Sequence, residues 1–157
     1  MYKLITKILN ENGYNHYEIS NFSKEGYESN HNKTYWLNNE YYGFGLGASS
    51  YIDNKRITNT RSITKYLKKE YISEIEELKK EDIIEYEIIL NLRLSKGIDL
   101  KRFKIKYKEE LINIYDYKDL VNNNLLNITD NHLYIKEDNL YISNEIITRL
   151  LQTKINK

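Results

Sequence analysis

The first third of the chain changes from a helical to a strand-like pattern of apolar residues. Leu4, Ile5 and Ile8 fall on one face of a helix. Gly13 follows them, and glycine readily adopts the left-handed conformation that ends many helices. Residues 16–22 then mix polar and apolar side chains in alternation, which is typical of a strand with two different faces. The pattern therefore predicts a helix followed by a strand.

A polar stretch and a glycine-rich stretch follow. Residues 23–33 are polar and are predicted to form a long loop, whereas residues 41–52 return to strand-like composition. Asn54-Lys55 and the flanking Asp53 favour a tight turn, because Asn and Asp tolerate the backbone angles of turns. The chain should then continue as a second strand over residues 56–59.

From Ser62 onward the pattern is mainly helical. Ser62 is a suitable N-cap for a short helix through Glu70, and Asp82 for a longer apolar helix that ends before Gly97. The remaining predicted elements are helices over 100–107, 109–115 and 117–123, strands over 132–135 and 140–142, and a last helix from Asn144 to about Thr153. Helices followed by a two-stranded wing and another helix are typical of a winged-helix-like unit.

Composition excludes several classes of protein. The 24 Lys and Arg residues nearly balance the 23 Asp and Glu residues, so no overall field attracts nucleic acid. A winged-helix module that binds nucleic acid or a protein partner nevertheless stays open as the alternative function. The sequence has no long apolar run and no secretory signal, which predicts a cytoplasmic protein. It also has no cysteine, so the chain alone cannot hold an iron–sulfur cluster through thiolates.

Histidine and tryptophan are rare in this chain, yet one of each lies in the segment His31-Asn32-x-x-Tyr35-Trp36. The chain has 3 histidines and 1 tryptophan in all. An imidazole can ligate iron or donate a hydrogen bond to a propionate, and aromatic rings can stack on a flat macrocycle. The alternative is that His31 is simply solvated in a polar loop and that Trp36 packs in the core.

Glycines at positions 43, 45 and 47 form the segment GFGLGAS. This spacing does not match a dinucleotide-binding fingerprint, which requires a helix directly afterwards, whereas 49–52 has strand composition. The glycines instead predict a strand that another backbone or a flat ligand approaches closely. Two charged residues nearby are also candidates. Arg56 could neutralise carboxylates such as porphyrin propionates, and Glu18 is either solvated or turned towards a cavity.

Several separated motifs together resemble one protein family. They are YEISNFS, HNKTYW, GFGLGASSY, a following R-x-x-N, and EIILNLRLSKGIDL from Glu87. The chain resembles the oxygen-independent coproporphyrinogen III oxidase-like radical-SAM family, in particular its HemW-like heme-chaperone branch. The resemblance implies an α+β fold. Residues 1–65 would be the terminal strands of an incomplete radical-SAM barrel, and residues 66–157 a helical accessory domain with a winged-helix-like end.

The resemblance also implies ligands and partners. Members open with a barrel that binds a [4Fe–4S] cluster and S-adenosylmethionine, and they oxidise coproporphyrinogen III or deliver heme. Without the cluster cysteines this chain alone should be inactive. Its expected partners are the N-terminal half of the barrel, a tetrapyrrole, and a second copy of itself through an exposed sheet edge. The implied tetrapyrrole contacts are His31, as a heme-iron ligand, with Asn32, Tyr35, Trp36 and Arg56. The implied S-adenosylmethionine contacts are Gly45, Gly47, Ala48 and Ser49, although many members have histidine where this chain has Ser49.

Overall fold

The computed structural model describes residues 1–155 and divides the chain into two compact units. The first unit contains residues 1–29 and the described residues from 88 onward, and the second contains residues 30–87. The elements before residue 80 are α1 (Tyr2–Glu11), β1 (Asn15–Glu18), β2 (Asn21–Ser23), α2 (Asn30–Trp36), β3 (Ser49–Ile52), β4 (Lys55–Asn59), α3 (Ile63–Leu67) and β5 (Ile72–Glu77).

The remaining elements are mostly short helices and the three strands of a small sheet. They are α4 (Lys80–Asn91), β6 (Ile98–Asp99), α5 (Leu100–Tyr107), a 3₁₀ helix (Leu111–Asn113), α6 (Lys118–Asn122), β7 (Asn127–Thr129), β8 (His132–Tyr134), a second 3₁₀ helix (Glu137–Ile142) and α7 (Ser143–Gln152). The sheet has the strand order β6-β8-β7. The core of the first unit consists of large apolar side chains with almost no exposure, among them Phe103, Leu126, Leu133, Ile146 and Leu150.

The predicted first helix is confirmed, but the strand after it is a hairpin. Helix α1 ends at Glu11, and Gly13 follows with φ +79°, as expected for a helix end. Strands β1 and β2 then pair in antiparallel fashion within the segment predicted as one strand. The fully buried carboxylate of Glu18 accepts hydrogen bonds from the Ser20 backbone N–H (3.0 Å) and from the Asn21 side-chain amide. These local bonds hold the reversal, and a solvated Glu18 is therefore wrong.

The second unit contains a three-stranded antiparallel meander in the order β3-β4-β5. The predicted turn between its first two strands is confirmed, with Asp53 and Asn54 at φ values of +49° and +59°, although Lys55, also predicted in the turn, begins β4. The predicted loop over 23–33 is wrong at its end, where α2 begins at Asn30. Strand β5 was not predicted, since it lies between the helices predicted from Ser62 and from Asp82, and all six of its residues are exposed.

The helices of the C-terminal part are largely confirmed, whereas the predicted wing is displaced along the chain. The hairpin is formed by β7 and β8, and residues 140–142, predicted as its second strand, lie in the second 3₁₀ helix. Asp130 and Asn131 connect the two strands with φ values of +49° and +64°. These residues form the hairpin turn that had been expected at 136–139.

The mixed helix and strand class is confirmed. The described residues form sheets of two, three and three strands, and none of these sheets closes into a barrel. The sheet β3-β4-β5 contains strands from both sides of residue 65. The division into residues 1–65 and 66–157 stays a prediction. Within residues 1–155, none of the helices combines the length and the apolar character needed to cross a bilayer.

Candidate functional site

Helix α2 contains the whole His31-Asn32-x-x-Tyr35-Trp36 segment. Residues four apart lie on the same face of a helix, and this spacing brings His31 and Tyr35 together. The Nε2 atom of His31 is 3.0 Å from the Tyr35 hydroxyl, and their rings are nearly perpendicular at 87° with centroids 4.8 Å apart. His31 is exposed, whereas Asn32, Tyr35 and Trp36 are half-buried. The imidazole is therefore oriented by a neighbouring hydroxyl while it remains open to a ligand.

Tyr35 connects α2 to the sheet of the second unit. Its ring packs edge-on against Tyr41 with a centroid distance of 4.4 Å. Tyr41 in turn exchanges two backbone hydrogen bonds with Tyr51 of β3, at 2.9 and 3.0 Å. Tyr51 is buried, with 5% of its surface exposed. Helix α2, which contains the motif, is thus positioned through Tyr41 by the buried Tyr51 of the sheet.

Arg56 continues this aromatic series on the neighbouring strand. It lies directly opposite Tyr51 in the β3–β4 pair, and its guanidinium carbon is 5.3 Å from the Tyr51 ring centroid and 3.9 Å from that of Tyr86. Aromatic faces attract cations, and the attraction is stronger where water is excluded. The buried Nε atom of Arg56 has no hydrogen-bond partner. Two rings therefore hold the cation in a fixed orientation.

Burial also changes the pKa of Tyr51, the tyrosine opposite Arg56. Burial raises the pKa of Tyr51 above its usual value, and the positive charge of Arg56 opposes part of that rise. The carboxylates of Glu40 and Glu87 raise the Tyr51 pKa further. Tyr51 therefore stays a neutral hydroxyl beside the cation.

The glycine-rich segment forms a loop instead of the predicted strand, and only 49–52 is a strand. Gly45 and Gly47 have φ values of +98° and +67°, which interrupt an extended backbone. A Cβ on Gly43 would lie 2.2 Å from the Ser49 carbonyl oxygen, so this position admits no side chain. The expected close approach of a second backbone segment is thus present, within the loop itself.

Asn59 of β4 holds the loop in place. Its side-chain amide donates to the carbonyl oxygens of Gly45 (2.9 Å) and Gly43 (3.4 Å). The Asn59 backbone N–H donates to Ala48 at 2.8 Å. The asparagine of the R-x-x-N motif therefore has a structural role. It fixes Gly43, Gly45 and Ala48, and the last two are predicted S-adenosylmethionine contacts.

The sequence prediction missed several members of this cluster. Tyr41 and Tyr51 lie between Tyr35 and Arg56 in the series, and Tyr86 is a second aromatic contact of Arg56. Tyr42 and Phe44 lie exposed on the glycine loop. The alternation of aromatic residues with glycines in YYGFG was a signal that could have identified Tyr42 and Phe44. Nothing local predicts Tyr86, which follows Arg56 by thirty positions. Across residues 1–155, no group of three or more His, Asp or Glu side chains could hold a metal ion.

Comparison with known proteins supports the family suggested by the motifs. The model of the HemN C-terminal domain matches residues 78–138. The heme chaperone HemW of Lactococcus lactis is 38% identical over 162 residues, which cover 99% of this chain and 42% of that protein. The heme chaperone HemW of Bacillus subtilis is 34% identical over 160 residues, covering 96% of this chain and 42% of that protein.

A solved structure agrees with the sequence comparisons. Coproporphyrinogen III oxidase (HemN) of Escherichia coli, described as a radical SAM enzyme, aligns with a TM-score of 0.68 at 13% identity. The alignment covers 93% of this chain and 39% of that one. The fold is thus that of the C-terminal region of a HemN-like protein.

The chain belongs to the HemW-like branch of the coproporphyrinogen III oxidase-like radical-SAM family and corresponds to its C-terminal part. The chain spans about two fifths of the length of these curated relatives, 42% in each case. The alternative of a nucleic-acid-binding or protein-binding winged-helix module is not favoured by these relatives.

Proposed function

We propose that this chain provides the tetrapyrrole-facing C-terminal part of a heme chaperone, with His31 in contact with the bound heme. The observation that supports this function is the continuous series from exposed His31 through Tyr35, Tyr41 and Tyr51 to Arg56. The relatives that cover most of the chain are heme chaperones by name. Heme is here a cargo that must be bound and released, so exposed contacts are suitable.

The chemistry of the series fits an iron porphyrin with two propionates. A hydrogen bond to one imidazole nitrogen orients the ring and makes the other nitrogen a better ligand or donor. The Tyr35 hydroxyl at His31 Nε2 provides this bond and leaves Nδ1 for the heme. Arg56 supplies a permanent positive charge that pairs well with a carboxylate. Asn32 and Trp36 lie on the same helix and are proposed as further tetrapyrrole contacts.

The other ligands of the family fit this chain unequally. With no cysteine, its residues do not fit a [4Fe–4S] cluster, and the cluster would belong to the N-terminal barrel half. The space beside Gly45 is open, since a Cβ placed there would meet no atom within 4 Å. We therefore keep Gly45, Gly47, Ala48 and Ser49 as proposed S-adenosylmethionine contacts. The proposal also includes a cytoplasmic location.

The proposed architecture is a set of terminal barrel strands followed by a winged-helix-like end. The strand order β6-β8-β7, with α5 and α6 between β6 and β7 along the chain, supports a winged-helix-like end. The edges available in the two-stranded and three-stranded sheets support a further barrel segment as partner. These details concern the whole protein, of which this chain is one part.

Heme titration tests the proposed contact. His31→Ala should weaken heme binding on the order of tenfold and shift the Soret band, because an iron ligand or propionate donor is lost. His132→Ala is the control, since His132 lies in β8 with its Nδ1 atom 3.1 Å from the Asp130 carbonyl oxygen. The control should bind heme like the parent chain. Equal losses in both variants would indicate unspecific binding and would contradict the proposal.

A further inference from the structure

Three apolar side chains of the glycine loop are exposed to solvent. Tyr42, Phe44 and Leu46 are 69%, 87% and 46% exposed, whereas the glycines between and after them are half-buried. Single exposed apolar residues are common in proteins and need no explanation. Here three lie within five positions of one loop, and two of them are aromatic rings that stack on each other.

The loop that presents these side chains is held in one conformation. Besides the bonds from Asn59, the Gly43 N–H donates to the Ser50 hydroxyl at 2.9 Å, and the Gly47 N–H donates to the Thr60 carbonyl at 3.0 Å. Binding to an ordered loop loses less conformational entropy than binding to a flexible one. The exposed rings are therefore preorganised for a ligand.

The two aromatic rings are nearly parallel. The centroids of Tyr42 and Phe44 are 6.3 Å apart, and their planes differ by 24°. Flat aromatic ligands favour such surfaces, because offset stacking aligns ring edges with ring faces. Tyr42 also directly follows Tyr41, whose ring contacts Tyr35 of the motif helix. The exposed pair is thus connected to the residues that orient His31.

We propose that Tyr42 and Phe44 stack on the face of the tetrapyrrole macrocycle, as a contact that does not depend on the iron. This inference rests on the proposed function and adds two residues to its site. It assigns separate tasks to the two parts of the site: His31 recognises iron or a propionate, and the aromatic pair recognises the flat ring system.

The test compares heme with metal-free protoporphyrin IX, both titrated into the chain and its variants. Phe44→Leu keeps an apolar side chain but removes the ring, and it should weaken both ligands roughly threefold to tenfold. Phe44→Tyr keeps the ring, so its affinity for both ligands should equal that of the parent chain. Tyr141→Ala is a matched control, since Tyr141 is a tyrosine exposed by 62% in the other unit, and it should change neither affinity. Far-ultraviolet circular dichroism verifies that each variant is folded.

The two ligands separate this proposal from the proposed function. If His31→Ala weakens heme while Phe44→Leu and Tyr42→Leu leave both affinities unchanged, the stacking proposal is overturned and the His31 contact stands. If Phe44→Leu weakens both ligands while His31→Ala weakens neither, stacking is supported and the His31 contact fails. Absence of binding by both ligands overturns both.

Discussion

Replacing Asn59 by alanine should loosen the glycine loop without unfolding the protein. The substitution removes the amide donor of a 2.9 Å hydrogen bond to the Gly45 carbonyl and of a 3.4 Å bond to the Gly43 carbonyl. A hydrogen bond of normal length contributes about 1 kcal/mol, and the longer bond adds only a fraction of that. The backbone bond from Asn59 to Ala48 does not involve the side chain and should persist.

The expected loss in the free energy of unfolding is therefore about 1 kcal/mol, which corresponds to a decrease in Tm of about 2–4 °C for a chain of this size. Thermal and urea unfolding followed by circular dichroism measure both quantities. Asn122→Ala is the matched control at an exposed position, and its effect should stay within about 0.5 kcal/mol.

The Asn59 variant should also bind metal-free protoporphyrin IX more weakly than the parent, because a mobile loop must be ordered on binding. An unchanged Tm together with unchanged amide exchange at 43–47 would refute the role given to Asn59.

Three further predictions concern the cluster, the tyrosines and the sheet edge. After anaerobic reconstitution with iron and sulfide, the chain should show no cluster absorbance, because it has no cysteine, and a stoichiometric cluster signal would contradict this. Burial raises the pKa of Tyr51 and of Tyr117 above the usual 10.0, so the unfolded state loses these protons first and stability should fall as pH rises above about 10. Urea unfolding at several alkaline pH values tests this, and Tyr51→Phe should make the decrease shallower; an equally steep decrease would exclude Tyr51 as a cause. Strand β5 lies at a sheet edge with every residue exposed, so the chain should self-associate and Ile75→Lys should weaken the association in sedimentation experiments. A parent chain that stays monomeric at high concentration would show that this edge does not pair.

Local signals in the sequence were sufficient where neighbouring residues determine the backbone. Ser62 accepts a hydrogen bond from the Lys65 N–H as a helix N-cap, and Asp53 and Asn54 adopt the positive φ values of a tight hairpin turn. The motif residues His31, Tyr35 and Arg56 were also proposed directly from the chain, because they lie in motifs that recur in a known family, and their role stays a prediction.

Local signals failed where the decisive partner is distant in the sequence. Strand β5 is stabilised by pairing with β4, which begins seventeen residues earlier in the chain, and it lies in a stretch between two predicted helices to which no element was assigned. Asp130 and Asn131 had the same turn chemistry as Asp53 and Asn54, but the hairpin they form became recognisable only from the pairing of β8 with β7 and with the distant strand β6.

The candidate site shows the same division between sequence and tertiary structure. The sequence by itself proposed an imidazole and a cation, but it could not predict that Tyr41 and Tyr51 lie between them or that Tyr86 also contacts the cation. Contacts between rings and guanidinium groups depend on side chains that only the folded backbone brings within about 6 Å. The sequence therefore determined which groups are available, and the tertiary structure decided which of them meet, because backbone pairing and burial act between residues far apart in the chain.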